Sequence, residues 1–240
     1  GFERHDFKYK GVKSLLVIPD SPAKGYPWVW RARFFGHQPQ ADIELLKRGF
    51  HLAYCDVAGL FGNQVAVERW NEFYQMLITQ RGLSKKPALE GMSRGGLIIY
   101  NWASENPEKV SCIYGDAPVC NIRSWPGGKG KGKGGGSAWK AALKAHRITD
   151  EESKSAKVSP IYKLKPIADA GIPILHVVGA ADKVFPVDEN SEIIEKKYKE
   201  LGGNIHVISK PGIGHHPHAL KDPRPIVDFI LKHSLKIKVD

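Results

Sequence analysis

The sequence predicts an α/β protein: an eight-stranded, mostly parallel sheet with helices on both faces. Three observations carry this. Short β-rich runs alternate with helix-patterned segments along the 240 residues, the order that builds a parallel sheet with crossover helices. The later runs are apolar throughout, as in Ile174-Leu175-His176-Val177-Val178, which suits strands covered on both faces. Length and composition, 42 % hydrophobic and 25 % charged, fit one domain with a large core, so residues 1–240 are read as a single unit.

The predicted strands are residues 3–8, 14–18, 27–30, 51–56, 87–90, 110–114, 174–178 and 205–209, the first two an antiparallel pair joined at Lys10-Gly11. Trp28 and Trp30, inside the third, are expected in the core. A helix over 67–80 sets Trp70, Phe73, Tyr74, Leu77 and Ile78 on one stripe, and Gly82 stops it. Residues 95–104 form an apolar helix closed by Asn106-Pro107. Residues 188–201, with Asp188 as the cap, carry Ile193, Ile194, Tyr198 and Leu201 before Gly202-Gly203, and 226–233 form the last helix.

One segment interrupts the alternation after strand six. Residues 120–162 are far longer than a usual connection, and 119–165 hold nine Lys, two Arg and three acids, a net of +8 within the chain's +11. The run from Trp125 to Gly136 is rich in Gly and Lys, and 138–145 is helical in pattern. It reads either as a floppy linker or as a lid over the site. A basic surface concentrates anions, but the basic run has few interleaved aromatics, so nucleic acid is not expected as a partner. No apolar run approaches the ~20 residues that span a bilayer, so no membrane partner is expected. Cys55, Cys112 and Cys120 are too few and too spread for a disulfide framework or a zinc pattern. A Cys112–Cys120 bridge is the one pairing considered. The opening Gly1-Phe2-Glu3-Arg4-His5 without methionine reads as a trimmed end, which favours a secreted or periplasmic setting.

Gly91-Met92-Ser93-Arg94-Gly95 follows a short apolar strand and precedes an apolar helix. That strand–turn–helix setting is what a nucleophile elbow requires, with Ser93 strained at the turn and small residues at Gly91, Gly95 and Gly96. A serine needs a base, and the base an orienting acid. Asp182 stands in Gly179-Ala180-Ala181-Asp182, after the seventh strand, and His215 follows Gly212-Ile213-Gly214, after the eighth. Asp116 is the rival acid, and His216 and His218 are fallback bases. A metal reading of the three histidines is not favoured, because neighbouring His215 and His216 should point apart. Arg94 either pairs with Glu90 or Asp56, or acts on the oxyanion or on a substrate carboxylate. The loop 56–63 should line the rim, and Arg33, Asn63 and Trp125 are the expected substrate contacts.

The order of elbow, acid and histidine over essentially the whole chain resembles the α/β-hydrolase superfamily. The resemblance implies an oxyanion hole from the Arg94 N–H and a second N–H in Arg31-Ala32-Arg33-Phe34-Phe35-Gly36-His37, by position Arg31 or Ala32. It implies no metal or organic cofactor. Three readings of function stand. The first is hydrolysis of a carboxylic ester through an acyl-enzyme, on a small molecule or a glycan, with an anionic substrate compatible with the basic insertion. The second is amide hydrolysis, as in the catalytic domain that prolyl-oligopeptidase-type peptidases carry beside a propeller. The third is a polyanion-binding module on a hydrolase-like fold.

Overall fold

A computed structural model describes residues 1–235; residues 236–240 of the expected unit lie outside the described residues. Strands β1 (Glu3–Tyr9), β2 (Val12–Ile18), β3 (Trp28–Arg31), β4 (His51–Cys55), β5 (Ala88–Met92), β6 (Cys112–Asp116), β7 (Ile174–Gly179) and β8 (Ile205–Lys210) form one sheet in the order β1-β2-β4-β3-β5-β6-β7-β8. Strand β2 runs antiparallel to β1 and β4, and all other pairs are parallel. The β1–β2 hairpin turns on Lys10 and Gly11, both at positive φ (48° and 80°), as a two-residue hairpin loop matched to strand twist requires.

Helices α1 (Gln40–Lys47) and α7 (Arg224–Leu235) cover one face of the sheet. On the other lie α2 (Gln64–Gln80), α3 (Gly96–Glu105), α5 (Lys165–Asp169) and α6 (Ser191–Glu200), while α4 (Gly136–His146) sits in the insertion. The larger core is aromatic. Trp30 stacks on Trp70 at 3.9 Å and meets Trp102 edge-on at 5.1 Å, with Trp28 buried beside it. All three cysteines are free and buried, so Cys112 and Cys120 are not bridged. No helix among the described residues is long and apolar enough to cross a membrane.

Several boundaries differ from expectation for local reasons. Strand β6 runs on through Gly115 to Asp116, because Val110 closes the preceding turn on Pro107. Helix α2 starts three residues early because Asn63 caps it, accepting the Ala66 N–H at 3.0 Å and donating to the Ala145 carbonyl at 2.7 Å. Asn63 therefore ties α2 to α4 and is not a rim residue. Asp188 caps nothing: it lies in a 3-10 turn ahead of α6 and pairs with Lys131. The short helix α1 carries no side-chain cap and was not anticipated.

The Gly/Lys run is a packed turn. Gly135 N–H donates to Pro126 at 2.9 Å and Lys129 N–H to Arg123 at 2.9 Å. Gly130 lies against the Glu189 carboxylate, where any Cβ would overlap it. Glu189 accepts from Ser124 Oγ at 2.5 Å and from the Lys131 N–H. Asn190 accepts the Cys120 and Asn121 N–H groups at 2.9 and 3.2 Å. The insertion is thus bound to the β7–α6 loop, and its apolar side (Ile122, Trp139, Ala142) packs on Phe61, Leu97 and Phe185.

A buried polar row crosses the central strands. Arg31, Glu90 and Tyr114 are register partners on β3, β5 and β6. The Arg31 guanidinium donates to Asp42 on α1 and to the His37 carbonyl, and lies 3.2 Å from Glu90. Burial drives the Glu90 carboxyl well above the usual range; Arg31 opposes this and neighbouring Asp42 adds to it. One cation thus faces two carboxyl groups, which favours the protonated form of Glu90. A carboxyl protonated in the fold but ionised in the unfolded chain binds more protons in the native state. Its contribution to stability therefore falls as pH rises above about 4.3, the unfolded glutamate value. Glu90→Gln mimics the neutral form and should lack that fall, so its urea midpoint should exceed the wild type's near about pH 8. Parallel pH profiles for the two proteins would mean that Glu90 is ionised in the fold.

Candidate active site

Ser93 follows β5 with φ +53°, in the left-handed region that a side chain enters only under constraint. The constraint is packing. A Cβ on Gly91 would come within 2.5 Å of Ile99 Cδ1, and one on Gly96 within 2.6 Å of the Val119 carbonyl. Gly95 is less crowded than expected, its nearest neighbour being Ala32 Cβ at 3.3 Å. Helix α3 can therefore press against β5 and β6 and hold the serine up at the strand end.

The structure brings Ser93, His215 and Asp182 together. His215 Nδ1 is 2.7 Å from Asp182 Oδ2, and His215 Nε2 is 3.4 Å from Ser93 Oγ. Asp182 Oδ1 accepts the Val184 and Phe185 N–H groups at 2.8 and 2.9 Å, which leaves Oδ2 for the imidazole. Burial would raise the Asp182 carboxyl, but the hydrogen bonds from His215 and the two amides outweigh it and hold the group below its ordinary value. An ionised carboxylate only accepts, so the imidazole proton sits on Nδ1 and the Nε2 lone pair faces the hydroxyl. That is the arrangement in which an imidazole takes a serine proton; its 3.4 Å separation is long, as it often is before substrate binds. The acid and base loops are tied through backbone: Ala180 N–H donates to Lys210 at 3.0 Å and Ala181 N–H to Ile213 at 2.8 Å.

The backbone around Arg31 and Ala32, expected to offer a second oxyanion donor, is taken up by the sheet. Strand β3 extends to Arg31, whose side chain is consumed by the buried polar row, and the Ala32 N–H donates to the Glu90 carbonyl at 2.9 Å. The Ala32 N–H is thus taken, and Arg31 lies within the paired part of β3. Arg33 is the first residue clear of the sheet. Its N–H has no acceptor among the described residues, and its nitrogen lies 3.7 Å from the position a Gly95 Cβ would take, beside the elbow. The Arg94 N–H is likewise unused.

An aromatic series leads from the base to the rim. Phe185 packs on His215 at 4.2 Å and on Trp125 at 5.2 Å, and the Arg94 guanidinium lies over Trp125 at 5.4 Å. Phe34, at φ +50°, has Arg33 over its ring at 4.8 Å and Arg94 at 5.5 Å. Arg94 pairs with neither Glu90 nor Asp56: Glu90 belongs to Arg31, and Asp56 Oδ1 accepts the Ala58 N–H. Phe34, Phe185 and Lys210 carried no sequence signal, since each acts by closing a long-range contact. Lys210 holds the histidine loop by donating to Pro217 and Ala219 at 2.6 and 3.0 Å.

Asp116 meets His218, not His215. It accepts from His218 Nδ1 at 3.0 Å, from the Ala219 N–H at 2.6 Å and from Tyr114 at 3.2 Å, all in the interior. His215, His216 and His218 do not diverge as expected, because the loop curls back and places one ring nitrogen of each within 4.8 Å of the others. The three could hold a metal ion, with His215 and His218 already oriented by carboxylates. A groove of about 1020 Å³ lies between the insertion and the acid loop, lined by Lys131, Lys133, Asp182, Lys183 and Asp188. Asp182 is in its wall and Ser93 is not.

Solved structures share this architecture at low sequence identity. A Mycobacterium tuberculosis puromycin-hydrolyzing peptidase matches with a TM-score of 0.73 at 15 % identity, over 95 % of this chain and 38 % of its own. Pyrococcus horikoshii acylaminoacyl peptidase gives 0.74 at 14 %, over 100 % and 43 %. Porphyromonas gingivalis dipeptidyl peptidase 4 gives 0.74 at 12 %, over 97 % and 35 %. The chain has the α/β-hydrolase fold, and it spans about two fifths of the length of these proteins. No protein-family model matches the sequence, and no curated protein is similar to it.

His216 and His218 should respond differently to removal. His218→Ala takes a donor from a buried carboxylate and should cost about 2–3 kcal/mol. His216 is exposed, and His216→Ala should stay within about 0.5 kcal/mol. Urea denaturation of both variants checks this, and equal midpoints would mean that the His218–Asp116 pair does not support the loop.

Proposed function

We propose that the chain is a serine hydrolase that cleaves amide bonds of short peptides or aminoacyl compounds through an acyl-enzyme. The observation that carries the reading is the hydrogen-bonded series from Asp182 through His215 to Ser93, with the serine held at a left-handed elbow. Ser93 attacks the carbonyl carbon while His215 Nε2 takes its proton, and Asp182 stabilises the imidazolium that forms. The Arg94 and Arg33 N–H groups receive the oxyanion, donors worth about 3 kcal/mol each in such sites. His215 then returns the proton to the leaving amine. Water, activated by the same imidazole, releases the acid.

The amide reading draws support from the structural matches, each described as a peptidase. The carbohydrate-ester reading has less. It needs Trp125 as an open substrate contact, and a face of that ring carries the Arg94 guanidinium. The polyanion reading leaned on the Lys-rich insertion, where Lys129 is paired with Asp150 and Lys131 with Asp188.

Aminoacyl and dipeptidyl p-nitroanilides should be turned over, and a fluorophosphonate should label Ser93 alone. Ser93→Ala should lose activity on the order of 10⁶-fold while keeping its melting temperature. Hydrolysis of p-nitrophenyl esters with no anilide turnover would overturn the amide assignment. Absence of Ser93 labelling would overturn the triad.

A further inference from the structure

We propose that Arg33 and Arg94 form an anion site beside Ser93, so that the preferred substrate carries a carboxylate close to its scissile carbonyl. The proposal rests on the hydrolase reading for its meaning, but the site can be tested without turnover.

The first argument is a contrast among three arginines. Arg31 is buried and satisfied, with Asp42, Glu90 and the His37 carbonyl around it. Arg33 and Arg94 are half-buried and have no ion pair among the described residues. Arg33 Nε is buried without a hydrogen-bond partner. Burial lowers the pKa of both guanidiniums; Tyr54 and Asp56 partly offset this for Arg33, and repulsion from Arg33 adds to it for Arg94. Withdrawing two like charges from water side by side is unfavourable unless an anion joins them.

The second argument is position. Both guanidiniums lie over the single ring of Phe34, and Arg94 is held between that ring and Trp125. The series continues through Phe185 to His215. Arg94 follows the nucleophile directly, and Arg33 Cβ is 3.6 Å from the position a Gly95 Cβ would take. A bulky residue at positive φ, as Phe34 is, persists only where surrounding structure enforces it. Here it presets the two cations without neutralising them. Planar guanidiniums flanked by aromatic rings suit a carboxylate, which each can bind through paired N–H donors.

The test uses matched substrates in the full chain. On the acyl side, mono-p-nitrophenyl glutarate is compared with the neutral p-nitrophenyl glutaramate. On the leaving side, N-acetylphenylalanyl-glycine is compared with its glycinamide. The charged member of at least one pair should be preferred about tenfold in kcat/KM, mainly through KM. Arg94→Met keeps the backbone donor, and together with Arg33→Met it should remove that preference. Lys131→Met should retain it, which separates local recognition from the general field of the basic insertion. In parallel, glutarate should bind Ser93→Ala by calorimetry and fail to bind the Ser93→Ala, Arg33→Met, Arg94→Met triple variant, with folding of both checked by circular dichroism. Substrates turned over without charge preference, together with no glutarate binding, would overturn the site. So would a loss of kcat of the same size on charged and neutral substrates, which marks a transition-state role. Glutarate binding that depends on the arginines, without hydrolysis of any substrate, would support the site and remove the hydrolase reading instead.

Discussion

The ion cluster around Arg31 is the constraint on which the site depends. A guanidinium buried at the end of β3 must find acceptors, because an unpaired internal charge costs several kcal/mol. It finds them on three separate pieces of chain: Asp42 on α1, the His37 carbonyl in the β3–α1 loop, and Glu90 on β5 directly before Gly91-Met92-Ser93. Those contacts fix the loop from Ala32 to Pro39 against the elbow. The unused Arg33 N–H and the strained Phe34 are held in that loop. The row continues through Tyr114 and Asp116 to His218, whose ring packs 4.6 Å from His215. One buried polar line therefore supports both the Arg33–Phe34 loop and the His215 loop on either side of Ser93.

The insertion shows how composition misleads when close packing is the purpose of glycine. Trp125 to Gly136 has the makeup of a flexible linker. In the fold, Gly130 is small so that Glu189 can reach the Lys131 N–H, and Lys131 in turn pairs with Asp188. The same β7–α6 connection carries Asp182 at its start and Glu189 and Asn190 at its end. Binding the insertion to it sets Trp125 against Phe185, whose N–H holds Asp182 and whose ring abuts His215. The lysines that look like an anion magnet are partly spent on this docking.

Much of the fold and the three central residues of the site were legible in the sequence, because they are written locally. A strand-turn-helix with small residues around a serine, and polar residues directly after apolar strands, are signals a few residues long. What failed was long-range. Asn63 reads as a loop residue until Ala66 and Ala145 are placed beside it. Asp188 looks like a helix cap until Lys131 arrives from the insertion. Arg31 and Ala32 read as oxyanion donors only if β3 ends at Trp30, whereas the strand continues into its pairing with β5. Asp116 could be judged only with His218 in contact, since the two lie more than a hundred positions apart in the chain.

The charge arrangement at the rim follows from the same accounting. In the proposed mechanism His215 gains a proton during attack, and nearby cations oppose an imidazolium while favouring an oxyanion. Asp182 offsets the first effect through a direct hydrogen bond. Asp56 and Tyr54 only partly offset the burial of Arg33, and neither Arg33 nor Arg94 has an ion pair among the described residues, while Asp42 and Glu90 lie against Arg31. Acidic side chains were thus available to this region and were placed where they stabilise the scaffold. A substrate carboxylate bound between the two arginines would lower their repulsion and screen the imidazolium at the moment it forms. Its benefit would then be felt both in binding and in the proton transfer, because the missing negative charge belongs to the reacting complex and not to the resting protein.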